Sequence, residues 1–368
     1  MKRAVDILLV GQTPPPYHGQ AVVTAMLFDH DWGDLRIDRL RMAYSGSIDA
    51  VGKANLGKIF HLLYLIFKTW KLAWMRRPEV LYYLPASSNW IPVLRDIVYL
   101  SCVRWCFPKI VFHYHAGGLP EYLETAGWLG CLARKAYSNA DVSVELCRTD
   151  CSPGELFDAR KTVYVPNGLD VEIVERKREG VMRGLFLGAL NEGKGVSNLI
   201  ETAMLLKKEK CDFEFQLVGA WASEVYREEV ETKIKQEGLE HLISLPGILK
   251  GGDKWQVYAD ADFFIFPSHY QSENFPLVII EAMAYGLPVI STRWRGIPQL
   301  VGESGAAILC DVDSPDQYVE AVMSIYHDEA LSEAMGGAAQ DHYQKNYTRG
   351  QFVLAMEGVF NDVLKVEG

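Results

Sequence analysis

Glu273 and Glu281 stand eight residues apart in the run Pro267-Ser268-His269-Tyr270-Gln271-Ser272-Glu273-Asn274-Phe275-Pro276-Leu277-Val278-Ile279-Ile280-Glu281-Ala282-Met283-Ala284-Tyr285-Gly286-Leu287-Pro288. A carboxylate offers two acceptor oxygens and so suits hydroxyl-bearing ligands. Just upstream, Phe263 to Phe266 is unbroken apolar sequence and reads as a buried strand. Pro276 fits the first turn of a helix, where its missing N–H is no loss. Gly286 and Pro288 end that helix. Glu273 then falls in the loop and Glu281 within the helix, roughly 7 to 8 Å along the axis from Pro276. The helix start, with Asn274, Phe275, Pro276 and Leu277, presents unpaired amides, a seat for phosphate. Such a site suits a ligand with a polyol at each end and a diphosphate between them. Two carboxylates at this spacing also occur on ordinary amphipathic helices, so spacing alone does not decide.

The flanking residues do more. With its Pro-Ser, Asn-Phe-Pro-Leu and Glu-Ala-Met-Ala-Tyr-Gly-Leu-Pro-Val-Ile context, the segment resembles the E-x7-E signature of family 4 retaining glycosyltransferases, which have the GT-B fold. The resemblance implies an α/β protein with two Rossmann-like domains whose parallel sheets face across a cleft. It implies transfer of a sugar, as in a hexosyltransferase, from a UDP- or GDP-sugar to an acceptor hydroxyl, with the anomeric configuration retained. It gives Glu273 the hydroxyls of the donor sugar and Glu281 the ribose of the nucleotide. Enzymes of this kind build bacterial surface polysaccharide, lipid-linked glycans or small glycosides.

The loop Gly188-Ala189-Leu190-Asn191-Glu192-Gly193-Lys194-Gly195 is one residue from a P-loop, but Gly195 stands where a P-loop needs Ser or Thr for magnesium. Family 4 enzymes carry a Gly-Arg-Leu-x3-Lys-Gly loop there, which implies a diphosphate contact for Lys194. Ala189 occupies the Arg position, so half the expected positive charge is absent, with Arg293 and Arg295 as candidate replacements. The plainer alternative for Lys194, a solvated surface lysine, is weakened by its place between a strand and a helix. Near the N-terminus, Gly11 to Gln20 follows the first strand; Gly19 matches a family loop touching phosphate and acceptor, and Pro14, Pro15 and Pro16 stiffen it. His113-Tyr114-His115-Ala116-Gly117-Gly118 leaves another strand end, a place favoured for functional groups in open α/β sheets. His115 is expected to line the reacting face, with His113 turned the other way; a lone histidine here is also commonly structural. His18, Gly117 and Tyr270 are acceptor-side candidates. Gly219, in Leu217-Val218-Gly219, and Ile248, in Pro246-Gly247-Ile248-Leu249, complete the expected donor side, with Ile248 at the nucleobase. Val165-Pro166-Asn167-Gly168-Leu169-Asp170 and Gly296-Ile297-Pro298-Gln299 are further matches to the family. Asp260-Ala261-Asp262 looks like a metal-binding D-x-D but reads as the cap of the following strand, so neither metal nor other cofactor is expected.

Strand-like and helix-like segments alternate through both halves, the pattern of parallel sheets covered by helices. Residues 1–168 are expected to form an acceptor-binding domain, with 347–368 returning to it, and 169–346 a donor-binding domain. The polar segment 172–180 reads as the hinge. The 368 residues carry a net charge of −10, which excludes a nucleic-acid binder. From Arg41 to Lys109, however, ten Lys or Arg face three acids, with Trp70, Trp74, Trp90 and Trp105 interleaved. Residues 53–109 therefore suit either peripheral contact with an anionic membrane face or a lipid-linked acceptor, or else two core-packed helices with solvated lysine rims. Met1-Lys2-Arg3 precedes a strand rather than an export signal, and the seven cysteines read as reduced thiols. A cytoplasmic protein, free or resting on the membrane face, is expected. Two other readings stay open: a GT-B nucleotide-sugar epimerase, and a P-loop-like phosphotransferase built on Gly188 to Gly195.

Overall fold

The computed structural model describes residues 5–15, 17–42, 56–177 and 180–365; residues 1–4, Pro16, Lys53, positions 178–179 of the expected hinge and 366–368 of the returning segment lie outside them. The chain divides into two compact units, Met1–Gly168 with Arg349–Gly368, and Leu169–Thr348. It passes between them at Gly168–Leu169, just upstream of the 172–180 segment read as a hinge, and again at Thr348–Arg349.

The first unit runs β1 (Ile7–Gly11), α1 (Gly19–Asp29), β2 (Ile37–Arg41), α2 (Leu56–Arg76), β3 (Val80–Tyr83), α3 (Trp90–Val103), β4 (Lys109–Tyr114), α4 (Leu119–Thr125), α5 (Trp128–Tyr137), β5 (Val142–Glu145), α6 (Pro153–Leu156) and β6 (Thr162–Tyr164). Its strands are all parallel, in the order β2-β1-β3-β4-β5-β6. The inner strands β1, β3, β4 and β5 are buried along their whole length because helices cover both faces. On one face Tyr83, Phe112 and Tyr114 join α2, α3 and α5 in a core that includes Leu65, Ile97, Leu100 and Ala133. Buried Asp96 is tied into that core by the Tyr83 and Tyr137 hydroxyls at 2.6 and 2.9 Å, the Ala86 amide at 2.7 Å and the Arg95 guanidinium at 2.6 Å.

The second unit runs β7 (Met182–Leu187), α7 (Val196–Lys208), β8 (Phe213–Val218), α8 (Glu224–Gln236), β9 (Ile243–Gly247), α9 (Gly252–Ala259), β10 (Phe263–Phe266), α10 (Leu277–Ala284), β11 (Val289–Thr292), α11 (Ile297–Val301), β12 (Ala307–Cys310), α12 (Pro315–His327) and α13 (Glu329–Asn346). Its parallel order is β12-β11-β10-β7-β8-β9. The last helix, α14 (Arg349–Lys365), belongs to the first unit. There Phe360 meets the Tyr82 and Trp32 rings at 5.5 and 5.0 Å, and Lys109 donates to the Val363 carbonyl at 2.8 Å.

Candidate functional site

In an open parallel sheet, loops leaving neighbouring strands diverge where the strand order reverses, and a crevice opens there. In the second unit that point lies between β7 and β10, and the loops leaving these two strands hold Lys194 and Glu273. The loops are joined by the His269 amide, which donates to the Gly193 carbonyl at 2.8 Å. Asn191 caps the short turn Glu192–Lys194 by accepting from the Lys194 amide at 2.9 Å. Gly195 follows with φ of +77°, and a Cβ there would lie 2.2 Å from the Pro267 carbonyl oxygen. Only glycine fits, which is the structural reason that this loop has no hydroxyl after its lysine. Gly219, at the end of β8, is held by a different approach: a Cβ would stand 1.7 Å from the Gly188 carbonyl oxygen.

Lys194 reaches across to Glu273 and pairs with its Oε2, to which the Ser268 hydroxyl also donates at 3.3 Å. The ammonium lies 5.2 Å from the centroids of both Phe266 and Tyr270. Tyr270 is fixed in turn by the Trp294 indole, which donates to its carbonyl at 2.9 Å. Glu273 and Asn274 are buried. Pro276 is not in the first turn, as expected, but is the cap residue, with extended backbone at φ −67° and ψ 119°. Helix α10 therefore starts at Leu277, since a cap takes non-helical dihedrals that proline also allows.

Glu281 is buried on α10 and has a partner that sequence reasoning missed. Lys254, on α9, donates to its Oε1 at 2.5 Å, while the Tyr258 hydroxyl donates to Oε2 at 2.8 Å. Tyr258 stacks on Tyr285 with centroids 5.5 Å apart. Burial and the Glu281 charge push the Tyr258 hydroxyl well above its ordinary pKa, so it stays a donor. No spacing rule links Lys254 to Glu281 in the sequence; packing of α9 against α10 creates the pair. Of the expected replacements for the arginine absent at Ala189, Arg293 pairs with Asp311 at 3.2 Å and the Arg295 guanidinium lies 5.4 Å from the Trp294 ring. Ala189 and Ile248 are exposed. The D-x-D acids are structural: Asp262 accepts from the Arg183 amide and pairs with Arg176, both at 2.7 Å, and Asp260 accepts from the Lys177 amide at 2.8 Å.

In the first unit, His18 is the N-cap of α1, accepting from the Ala21 amide at 3.3 Å, so Gly19 is the first helical residue rather than part of a glycine-rich loop. Arg41 clasps the preceding loop by donating to the Pro14 carbonyl at 2.7 Å. Gly117 lies in the bend between β4 and α4. The expected separation of His113 from His115 is wrong. Residues two apart on a strand share a side, and the two imidazoles lie 4.1 Å apart by centroid. His113 Nδ1 is 2.6 Å from the Tyr82 hydroxyl, while the Nε2 atoms of both histidines are buried without a partner among the described residues. Burial and then the charge of His18 push His115 down to about 3, and burial and then His115 push His113 well below its ordinary value. Both imidazoles are neutral at physiological pH.

These arrangements sit on a shared architecture. A solved structure of Anabaena HepE in complex with UDP superposes with a TM-score of 0.70 at 16% identity, covering 97% of this chain and 100% of that one. A complex of the same protein with UDP-glucose gives 0.68. Likeness at that identity concerns the fold, which is α/β of the GT-B class. Residues 173–342, inside the second unit, match the family model for group 1 glycosyl transferases. An uncharacterized glycosyltransferase of Methanocaldococcus jannaschii is 26% identical over 203 residues, 55% of this chain and 54% of that protein. A putative colanic acid biosynthesis glycosyltransferase of Salmonella typhimurium is 36% identical over 127 residues, 33% of this chain and 30% of that protein. The matched stretches thus span about half or less of these relatives' lengths.

Proposed function

We propose that the protein is a retaining glycosyltransferase of the family 4 type, which moves a sugar from a UDP- or GDP-sugar to an acceptor hydroxyl in surface-polysaccharide or lipid-linked glycan synthesis. The observation that carries this is the pair of lysine–glutamate contacts, one before and one within α10, at the strand-order reversal of the second unit. The group 1 match over that unit, the polysaccharide relative and the UDP-bound neighbour support it.

In this reading Glu273 holds the donor sugar and Glu281 the ribose. Breaking the glycosidic bond builds negative charge on the departing diphosphate, and fixed donors aimed at that charge stabilise the transition state. Lys194 is one donor; the incoming diphosphate draws its ammonium from Glu273. The Leu277 and Val278 amides at the start of α10 are the others, because first-turn amides lack acceptors within the helix, while the Ile279 amide already donates to the Pro276 carbonyl at 3.2 Å. Lysine and amides supply the countercharge, so no metal enters the scheme. Tyr270 and Gly117 are assigned to the acceptor in this reading, and neutral His115 to a hydrogen-bonding role without charge.

Sugar transfer from a panel of nucleotide-sugars tests the site. Removing one stabilising donor costs about 10²–10³ in kcat, so Lys194→Ala should fall by that order, and Glu281→Ala should raise KM for the donor. Wild-type rates in both variants discard the assignment. Sugar isomerised without any acceptor would point to an epimerase instead.

A further inference from the structure

Helix α2 is apolar on two opposite sides, and the fold uses one of them. Leu65 and Ile66 are buried in the first unit's core, with Leu62, Leu72 and Ala73 packed beside them. At 3.6 residues per turn, Phe60, Leu63, Phe67, Trp70 and Trp74 fall on the other side. All are exposed, Phe60 by 71%, Phe67 by 64% and Trp74 by 80%. A helix apolar all round belongs in a core or against lipid, and a contiguous apolar patch of this kind marks an interaction site. The patch is flanked by α3 and the short turn that follows it. The Trp70 indole donates to the Cys102 carbonyl at 2.8 Å, and Trp105, three residues beyond Cys102, is 74% exposed.

Charge identifies the occupant. Helix α2 has no acidic residue, although the whole chain carries a net charge of −10. Lys68 and Lys71 lie along it and Arg77 follows at its end, whereas Arg76 turns to Asp38 of β2 at 4.0 Å. A second copy docking through the same face would set these cations against themselves, as a two-fold contact repeats every residue. A bilayer with anionic headgroups satisfies both features. Tryptophan favours the membrane interface, and lysine stems run along apolar surface while their ammonium groups reach phosphate. No helix among the described residues is long and apolar enough to cross a membrane, so α2, about 32 Å long, would lie in the plane of the interface.

We propose that this face of α2, extended by Trp105, docks on an anionic lipid bilayer, with Phe60, Phe67 and Trp74 entering the acyl boundary and Lys68, Lys71 and Arg77 on lipid phosphates. It stands independently of the sugar-transfer reading.

The test is sedimentation of the full chain with vesicles of phosphatidylcholine alone or mixed with phosphatidylglycerol. Binding is expected to the mixed vesicles at low salt, with a blue shift of tryptophan emission, and to weaken at high salt. Lys68→Glu/Lys71→Glu/Arg77→Glu and Phe67→Ser/Trp74→Ser should each lose at least about tenfold in affinity. Leu354→Ser, at an exposed apolar position on α14, should bind as wild type. Thermal melts show whether the variants are folded, as changes confined to exposed side chains should leave them. Failure of the wild type to sediment with anionic vesicles at low salt overturns the proposal, and so does undiminished binding by the folded variants. A wild-type dimer that Phe67→Ser/Trp74→Ser dissociates, without vesicle binding, would assign the face to a second copy.

Discussion

Lys194 and Lys254 each neutralise a buried glutamate, and the two pairs are not equally visible in the sequence. Lys194 belongs to a loop whose glycines announce it. Lys254 sits in an unremarkable Gly-Gly-Asp-Lys-Trp stretch, and only the approach of α9 to α10 makes it a partner of Glu281. Lys254→Met leaves that carboxylate with the Tyr258 hydroxyl alone, at a cost of about 1–3 kcal/mol. Adding Glu281→Gln should restore most of the loss, and a double-mutant cycle in urea reads the coupling directly; additive effects would show that the pair is energetically idle. The histidines give a second residue-scale expectation, about pH. An unfolded His115 takes up a proton near 6.5, whereas the folded one stays neutral down to about 3. Between those values the unfolded state binds more protons, so stability is complete above 6.5 and is lost as pH falls, by about 2 kcal/mol at pH 5. His115→Gln should flatten this acid limb in denaturant melts at pH 7 and pH 5. An unchanged limb would show that His115 titrates normally.

The elements most legible in the sequence are those buried on both sides. Strand β10 is Phe263-Phe264-Ile265-Phe266, and nothing but a covered central strand tolerates that run. Strand β2 carries little strand signal in the sequence because it is an edge strand, where Asp38, Arg39 and Arg41 are tolerated among its five residues. Helix α8 was equally hidden, since it buries only Val230 and Ile234 and is otherwise largely charged. The candidate site was legible where glycine and proline punctuate it, but a one-residue shift of Pro276 from first turn to cap was beyond pattern reading, because proline suits both places. Gly195 shows how tightly these loops are set. Gly195→Ala must hold a Cβ 2.2 Å from the Pro267 carbonyl at positive φ, so the β7 and β10 loops have to part. It should cost about 1–3 kcal/mol and weaken nucleotide binding with it. Thermal melts with and without UDP check both effects, and a variant that binds UDP as tightly as wild type would show that the loop yields without harm.

At the scale of the whole molecule, the two units are not equally independent. The second is one continuous stretch, Leu169–Thr348, whereas the first is completed only when α14 returns to it. That helix buries six apolar side chains, Phe352, Val353, Met356, Val359, Phe360 and Val363. At roughly 1.5–3 kcal/mol for each large one, their contribution rivals the whole stability of a typical domain, about 5–15 kcal/mol. Without α14, Tyr82 and Trp32 lose the Phe360 ring and His113 loses Phe352, while Lys109 keeps Glu79 but not the Val363 carbonyl. A chain ending at Gly168 should therefore fail to fold cooperatively, and supplying residues 349–368 through a short linker after Gly168 should restore a sharp transition. Residues 169–348 expressed alone should fold and, holding Lys194, Glu273, Lys254 and Glu281, bind UDP as the proposed donor site requires. UDP at a hundred times its Kd should then stabilise that fragment by about 2.7 kcal/mol. If the 1–168 chain melts sharply by itself, α14 is an accessory rather than a structural part of the first unit. If the 169–348 fragment folds but gains no stability from UDP, the nucleotide site needs residues from the other unit.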